Sequence, residues 1–148
     1  MTSETNQTPI FIVGMPRSGT TLMRSMLSVH PNIAVSRETH FLPQWWKRYR
    51  KIDLNNLDNF EAFWQEYSAS DRFEKVVIDP PLVKERILAS DNMELKTIFT
   101  CIMEVLATKM NKPRWAEKTP VHYKYIDILL NWYPQARIIW MVRDPRAV

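Results

Sequence analysis

The sequence predicts an α/β protein, a three-layer sandwich with a central parallel sheet, and three observations carry that prediction. Strand-like and helix-like stretches alternate along the chain, and the first strand runs through a glycine-bounded loop into a helix. Ala136-Arg-Ile-Ile-Trp-Met-Val142 is nearly continuous in apolar character, as expected for a parallel strand buried on both faces.

Pro9-Ile-Phe-Ile-Val13 is a short, β-branched run ending at Gly14, which reads as a buried strand entering a turn. A helix is expected from Thr20 to His30, with Leu22, Met23, Met26 and Leu27 on one face and Pro31 as its stop. Ile33-Ala-Val35 is a second strand, which delivers Arg37-Glu-Thr-His40 to a strand end or loop where side chains reach a ligand. From Pro43 to about Asp91, Trp45, Trp46, Tyr49, Phe60, Phe63, Trp64 and Tyr67 fall at helical spacings around the loop-like stretch Asp53–Asp58. These rings are expected to be core of helices that cover the sheet. Asn92 to Met110 is a clear amphipathic helix, with Leu95, Ile98, Phe99, Ile102, Met103, Leu106 and Met110 on one face and Asp91 with Glu94 as a capping-box variant. Arg114-Trp-Ala-Glu117 is a strand running into Lys118-Thr-Pro120, followed by a helix with Tyr125, Ile128, Leu129 and Trp132 that Pro134 closes.

At 148 residues with 45% apolar side chains, the chain supports one core. Residues 1–8 are polar and read as a flexible N-terminus without the features of a signal peptide, and residues 9–148 form the domain. The net charge of +4 and the scattered basic residues favour small anionic ligands over nucleic acid. No apolar run approaches a membrane span. The single cysteine, Cys101, lies in an apolar helical pattern and reads as a small buried hydrophobe. Nothing in the sequence requires an oxidising compartment, so a cytoplasmic location is expected.

The chemistry concentrates in Gly14-Met-Pro-Arg-Ser-Gly19-Thr-Thr21, a G-x4-G loop between a strand and a helix. Backbone N–H groups of such a turn, with the helix dipole, converge on an anion, and Thr20 and Thr21 add hydroxyls. Gly14 and Gly19 are the only glycines of the chain. Where nucleotide triphosphatases carry a lysine this loop has Thr20, while a cation stands earlier as Arg17. The best strand for a magnesium aspartate ends in Met141-Val-Arg143-Asp144 instead, and Arg143 speaks for an anion. Asp144-Pro145 reads as a helix start beside it.

Pro16-Arg-Ser-Gly-Thr-Thr-Leu-Met-Arg24 resembles the 5′-phosphosulfate loop of sulfotransferases that use 3′-phosphoadenosine 5′-phosphosulfate (PAPS), the tyrosylprotein branch above all. The likeness continues through Met26-Leu27, His30-Pro31, Glu38-Thr39, Lys118 with Pro120, and Met141–Asp144. It implies sulfuryl transfer from PAPS to a hydroxyl acceptor with release of PAP and without a metal. It implies Glu38 as the base, with Lys118 and Arg17 as catalytic cations. Pro16, Arg17, Ser18, Gly19, Thr20 and Thr21 would hold the 5′ side and Arg143 the 3′-phosphate. His40 is the rival base, because its unperturbed pKa suits the task and other branches of the family use a histidine. Secreted tyrosylprotein members carry cysteines where this chain has Ser36 and Ala116, an acidic residue where it has Arg37, and an arginine where it has His40. The acceptor class, whether sugar, lipid, small alcohol or peptide tyrosine, therefore stays open.

The resemblance also implies a chain that continues past Val148, so that the 148 residues are expected to be truncated, to leave an apolar patch near the last strand uncovered, and to bind nucleotide without turnover. Two other functions fit the loop: a P-loop nucleotide or small-molecule kinase using ATP and magnesium, and a non-catalytic nucleotide-binding fragment.

Overall fold

The computed structural model describes residues 8–15, 17–144 and 146. Four parallel strands, β1 (Ile10–Gly14), β2 (Ile33–Ser36), β3 (Arg114–Lys118) and β4 (Arg137–Met141), form one sheet in the order β2-β3-β1-β4. Between them lie α1 (Thr20–Ser28), a π-helical segment (Phe41–Trp46) running into α2 (Lys47–Tyr49), α3 (Leu57–Ser68), α4 (Asp71–Val76), α5 (Pro80–Leu88), α6 (Leu95–Lys109), a 3₁₀ turn (Pro120–Tyr125) and α7 (Ile126–Trp132). The fold class is the one expected from sequence.

The pleat sorts the strand residues into two cores. On one face Ile10, Ile12, Ile33, Val35 and Ala116 pack with Met23 and Leu27 of α1. On the other, Phe11, Val13, Ala34 and Trp115 join the larger core built from the remaining helices. Phe99 of α6 is the hub of that core, with ring centroids 5.0 Å from Phe41, 5.8 Å from Trp115 and 6.3 Å from Phe11. Trp45, Tyr49, Phe60, Phe63, Trp64 and Tyr67 are buried there, as their spacing predicts, whereas Trp46 is only partly buried against this core. Cys101 is buried too, and burial pushes its thiol above the ordinary value.

Several expectations need correction. The helix after the loop ends at Ser28, and only Met23 and Leu27 of its four apolar residues face the sheet, while Leu22 and Met26 are exposed. Two adjacent i, i+4 pairs span too wide an arc for one contact stripe. The capping box at Asp91 and Glu94 does not form. Glu94 is the N-cap of α6 without a side-chain bond, and Asn92 Oδ1 instead accepts from Glu94 N at 3.0 Å and from the Thr97 hydroxyl at 2.6 Å. Tyr125 ends the 3₁₀ turn and does not belong to the following helix. β4 is parallel as expected but, among the described residues, stands at the edge of the sheet and is not buried on both faces: Trp140 is 54% exposed. An apolar patch is therefore open there. Pro145 and the helix expected to start at it lie outside the described residues, as do residues 1–7, whereas Thr8 is held by Arg114 through its carbonyl at 2.7 Å. Among the described residues no helix is long and apolar enough to cross a membrane.

The chain passes from β1 outward to β2, returns through β3, and crosses to β4 on the other side. β1 is thus the point where the strand order reverses, and the crevice outside the carboxyl ends of such strands is the place where open α/β sheets hold ligands.

Candidate active site

The C-terminal ends of β1, β2 and β3 release Gly14, Ser36 and Lys118 toward one edge of the sheet. The loop after β1 is built by its glycines. A Cβ on Gly14 would lie 2.6 Å from the Met141 carbonyl oxygen and 2.8 Å from Ser18 Oγ, so only glycine lets β4 and the loop close over it. Gly19, at φ 90°, is the left-handed N-cap of α1, which no side chain caps. Among the described residues its first N–H groups therefore lack a capping partner, as donors of a helix N-terminus do.

Arg17 is exposed and left-handed at φ 65°, and its carbonyl accepts from the Arg143 guanidinium at 3.3 Å. The two arginines expected at the anion are thus neighbours. Ser18 is buried and spends its hydroxyl on the Met15 carbonyl, and Thr20 is buried as well, so these two offer backbone rather than side-chain groups. Pro16 lies outside the described residues.

Lys118 joins the loop to the second half of the site. Successive strand residues point to opposite faces, so Trp115 and Glu117 enter the main core while Lys118 emerges on the α1 side. Its Nζ donates to Thr21 Oγ1 at 3.2 Å and to Glu38 Oε1 at 2.7 Å. The other oxygen of Glu38 meets His40 Nε2 at 2.9 Å and lies 3.9 Å from Arg72. Burial pushes the Glu38 carboxyl up, but the bonds from Lys118 and His40 and their charges outweigh it, and its pKa lies below the ordinary value.

Glu38 and Lys118 open onto a cleft of about 360 Å³ lined also by Thr21, Arg24, Arg37, Arg72 and Lys75. Arg24 Nε donates to the Ser36 carbonyl at 3.1 Å, which ties α1 to the strand that carries Glu38. Partial burial first, then the charge of Arg37, holds the Arg24 guanidinium below its ordinary pKa. Arg24, Arg72 and Lys75 are the cleft residues that sequence reasoning missed as site residues. Arg72 and Lys75 sit on α4, three apart on an otherwise ordinary amphipathic helix, and only the return of α4 to the mouth of the sheet gives them a role. His40, the rival base, is bonded to Glu38 but does not line the cleft.

The family model described as "Sulfotransferase family" matches residues 9–148. Protein-tyrosine sulfotransferase 1 of Rattus norvegicus is 33% identical over 143 residues, which is 96% of this chain and 33% of the relative. Protein-tyrosine sulfotransferase A of Caenorhabditis elegans is 29% identical over 140 residues, 93% of this chain and 31% of the relative. The chain spans about a third of the length of these curated relatives.

Proposed function

The chain belongs to the sulfotransferase family, and from that premise we propose that it forms the PAPS-binding part of an enzyme that sulfates a hydroxyl acceptor. The observation that carries this reading is the position of Lys118, whose ammonium bridges Thr21 beside the anion loop and the carboxylate of Glu38. One cation thus joins a nucleotide-side group to a base.

The residues suit the nucleotide. The Gly14 cradle, the uncapped N-terminus of α1 and the Arg17 and Arg143 pair fit a phosphosulfate with a second phosphate nearby. When bound, PAPS supplies an activated sulfuryl group, which passes to the acceptor oxygen as the bond to the phosphate oxygen breaks. Glu38, as the carboxylate, takes the proton from the acceptor hydroxyl. Lys118 and the amides of the loop stabilise the charge that grows on the transferring and leaving oxygens. His40 bonds Glu38 without itself lining the cleft, which favours Glu38 over His40 as the base.

The relatives are named for protein tyrosine, and a tyrosine hydroxyl is the acceptor we propose first. The cations Arg37, Arg72 and Lys75 around the cleft favour an acceptor flanked by negative charge. A reducing, cytoplasmic setting belongs to the same proposal, since Ser36 and Ala116 stand where secreted members of the branch carry cysteines; cell fractionation tests it. The kinase reading is not favoured, because Thr20 stands where a phosphate-binding lysine is needed.

Calorimetric titration with PAP, without metal, tests the function. We expect binding that falls at least about tenfold in an Arg17→Ala, Arg143→Ala double variant, as removal of two charge-assisted contacts implies. Binding of ATP that requires magnesium, with none of PAP, would overturn the reading. Binding of PAP without sulfation of any tyrosine peptide or hydroxyl acceptor would leave the non-catalytic alternative.

A further inference from the structure

Glu117 is a carboxylate with no exposed surface that the chemistry above leaves unused. Four donors converge on it. Oε1 accepts from the Thr39 hydroxyl at 2.9 Å, from Thr39 N–H at 3.4 Å and from the Thr119 hydroxyl, and Oε2 faces His122 Nδ1 at 2.9 Å.

The partners of Glu117 in turn hold four successive amides. Thr119 Oγ1 accepts from Thr39 N–H at 3.1 Å and from His40 N–H at 3.3 Å, Thr39 Oγ1 accepts from Phe41 N–H at 3.2 Å, and His122 Nε2 accepts from Leu42 N–H at 3.4 Å. These amides form the start of the π-helical segment, whose N-cap His40 is left-handed at φ 49°. With Leu42 N–H pointing at Nε2, it is Nδ1 that faces Glu117, so His122 meets the carboxylate in a fixed direction. Burial pushes the Glu117 carboxyl up, but His122 and the two threonine hydroxyls outweigh it and hold it below its ordinary pKa. An apolar residue of similar size is commonly the more stable occupant of such a site. What a buried carboxylate adds is direction.

We infer that Glu117 is a positioning residue: through Thr39, Thr119 and His122 it fixes the turn at 38–42 and so sets Glu38 against Lys118. β3 grips the site from both faces, because Glu117 binds the turn from within the core while Lys118, the next residue, meets Glu38 in the cleft. That Glu38 is the base rests on the function proposed above; that Glu117 holds it in place does not.

The test compares the wild-type chain with Glu117→Gln and Thr119→Val, both close in shape. In Glu117→Gln one carboxylate oxygen becomes an NH₂, which must face either the hydroxyls or His122. Facing His122, it turns the imidazole so that N–H opposes the Leu42 N–H. Thr119→Val removes the acceptor of Thr39 and His40 together with one of the four donors to Glu117, and leaves the carboxylate itself in place. Two readouts apply: amide hydrogen exchange at residues 39–42, and the pH titration of the Glu38 carboxyl by NMR. In both variants exchange at 39–42 is expected to rise at least about tenfold while the amides of α6 keep their protection. The Glu38 midpoint is expected to move up toward the ordinary value, since Lys118, His40 and Arg72, the charged groups that face it, lose their register. Unchanged loop amides with an unchanged Glu38 midpoint would overturn the inference, and so would faster exchange spread equally through α6, the mark of a merely stabilising residue. PAP titration of the wild type separates the two ideas: no PAP binding alongside a shifted Glu38 would sink the function and leave the positioning role standing.

Discussion

Substituting Gly14 by alanine puts the closeness of β4 and the anion loop to a direct test. The added methyl would sit 2.6 Å from a backbone oxygen of Met141 and 2.8 Å from Ser18 Oγ, both nearer than Cβ atoms come to such groups. Neither neighbour is free to turn away. The Met141 oxygen belongs to the strand that pairs with Gly14 itself, and the Ser18 hydroxyl is bonded to Met15. Relief requires the two strands to part by about half an ångström, an overpacking change that costs ~1–3 kcal/mol. For a chain of this size that corresponds to a melting temperature lower by roughly 3–10 °C. Gly19→Ala is the control, because its methyl meets only Met141 Cε, at 3.6 Å, and its cost is the left-handed backbone. Asparagine, which tolerates that backbone, is therefore expected to be milder than alanine at 19, whereas at 14 it is worse. Thermal unfolding followed by circular dichroism reads all four variants. A Gly14→Ala protein that melts within about 1 °C of wild type would refute the steric argument, since one overpacked methyl costs at least ~1 kcal/mol.

The acid side of the stability profile should carry the mark of Glu38 and Glu117. Both carboxyls lie below their ordinary value of 4.5 in the folded protein. Each therefore stabilises the fold above that pH, and the contribution is lost as pH falls from about 4.5 through the folded pKa. Melting temperatures between pH 6 and pH 3 are expected to fall less steeply in Glu38→Gln than in wild type; an identical slope would contradict the Lys118 and His40 contacts. Phe99→Ala removes the ring shared by Phe11, Phe41 and Trp115 and is expected to cost ~3–5 kcal/mol by chemical denaturation, with a loss below ~1.5 kcal/mol arguing against its place at the hub.

The parts of the fold legible in the sequence were those written in local pattern. β1, the glycine loop and α1 follow one another within a few residues, and their order could be read from β-branched runs, glycines and periodicity. The aromatic spacing from Trp45 to Tyr67 likewise announced a core. The edge position of β4 was not legible, because a run such as Arg137–Met141 looks alike whether one face or two is covered; sheet order decides that, and it arises from contacts far apart in sequence. In the site, Glu38 and Lys118 were found by resemblance, and their contact at 2.7 Å joins β2 and β3 across the sheet. Glu117 was read only as the end of a strand. The signal was present in the alternation, which sends Glu117 inward with Trp115, and a carboxylate on an inward position demands partners. His122, five residues on, had the right chemistry but no local pattern to mark it. Arg72 and Lys75 resembled any solvated helix face.

The order of the sheet also bears on how such a chain assembles. β1 is synthesised first yet lies in the interior of the sheet, and both strands that flank it, β3 and β4, come only after α1 to α6. The ribosome therefore releases the apolar run Ile10–Val13 long before its neighbours exist. Pairing between segments so distant in sequence makes for slow folding. The same topology denies the nascent chain a half-built site: the glycine loop cannot close on β4 until Met141 arrives, and Glu38 has no lysine to meet until β3 is made.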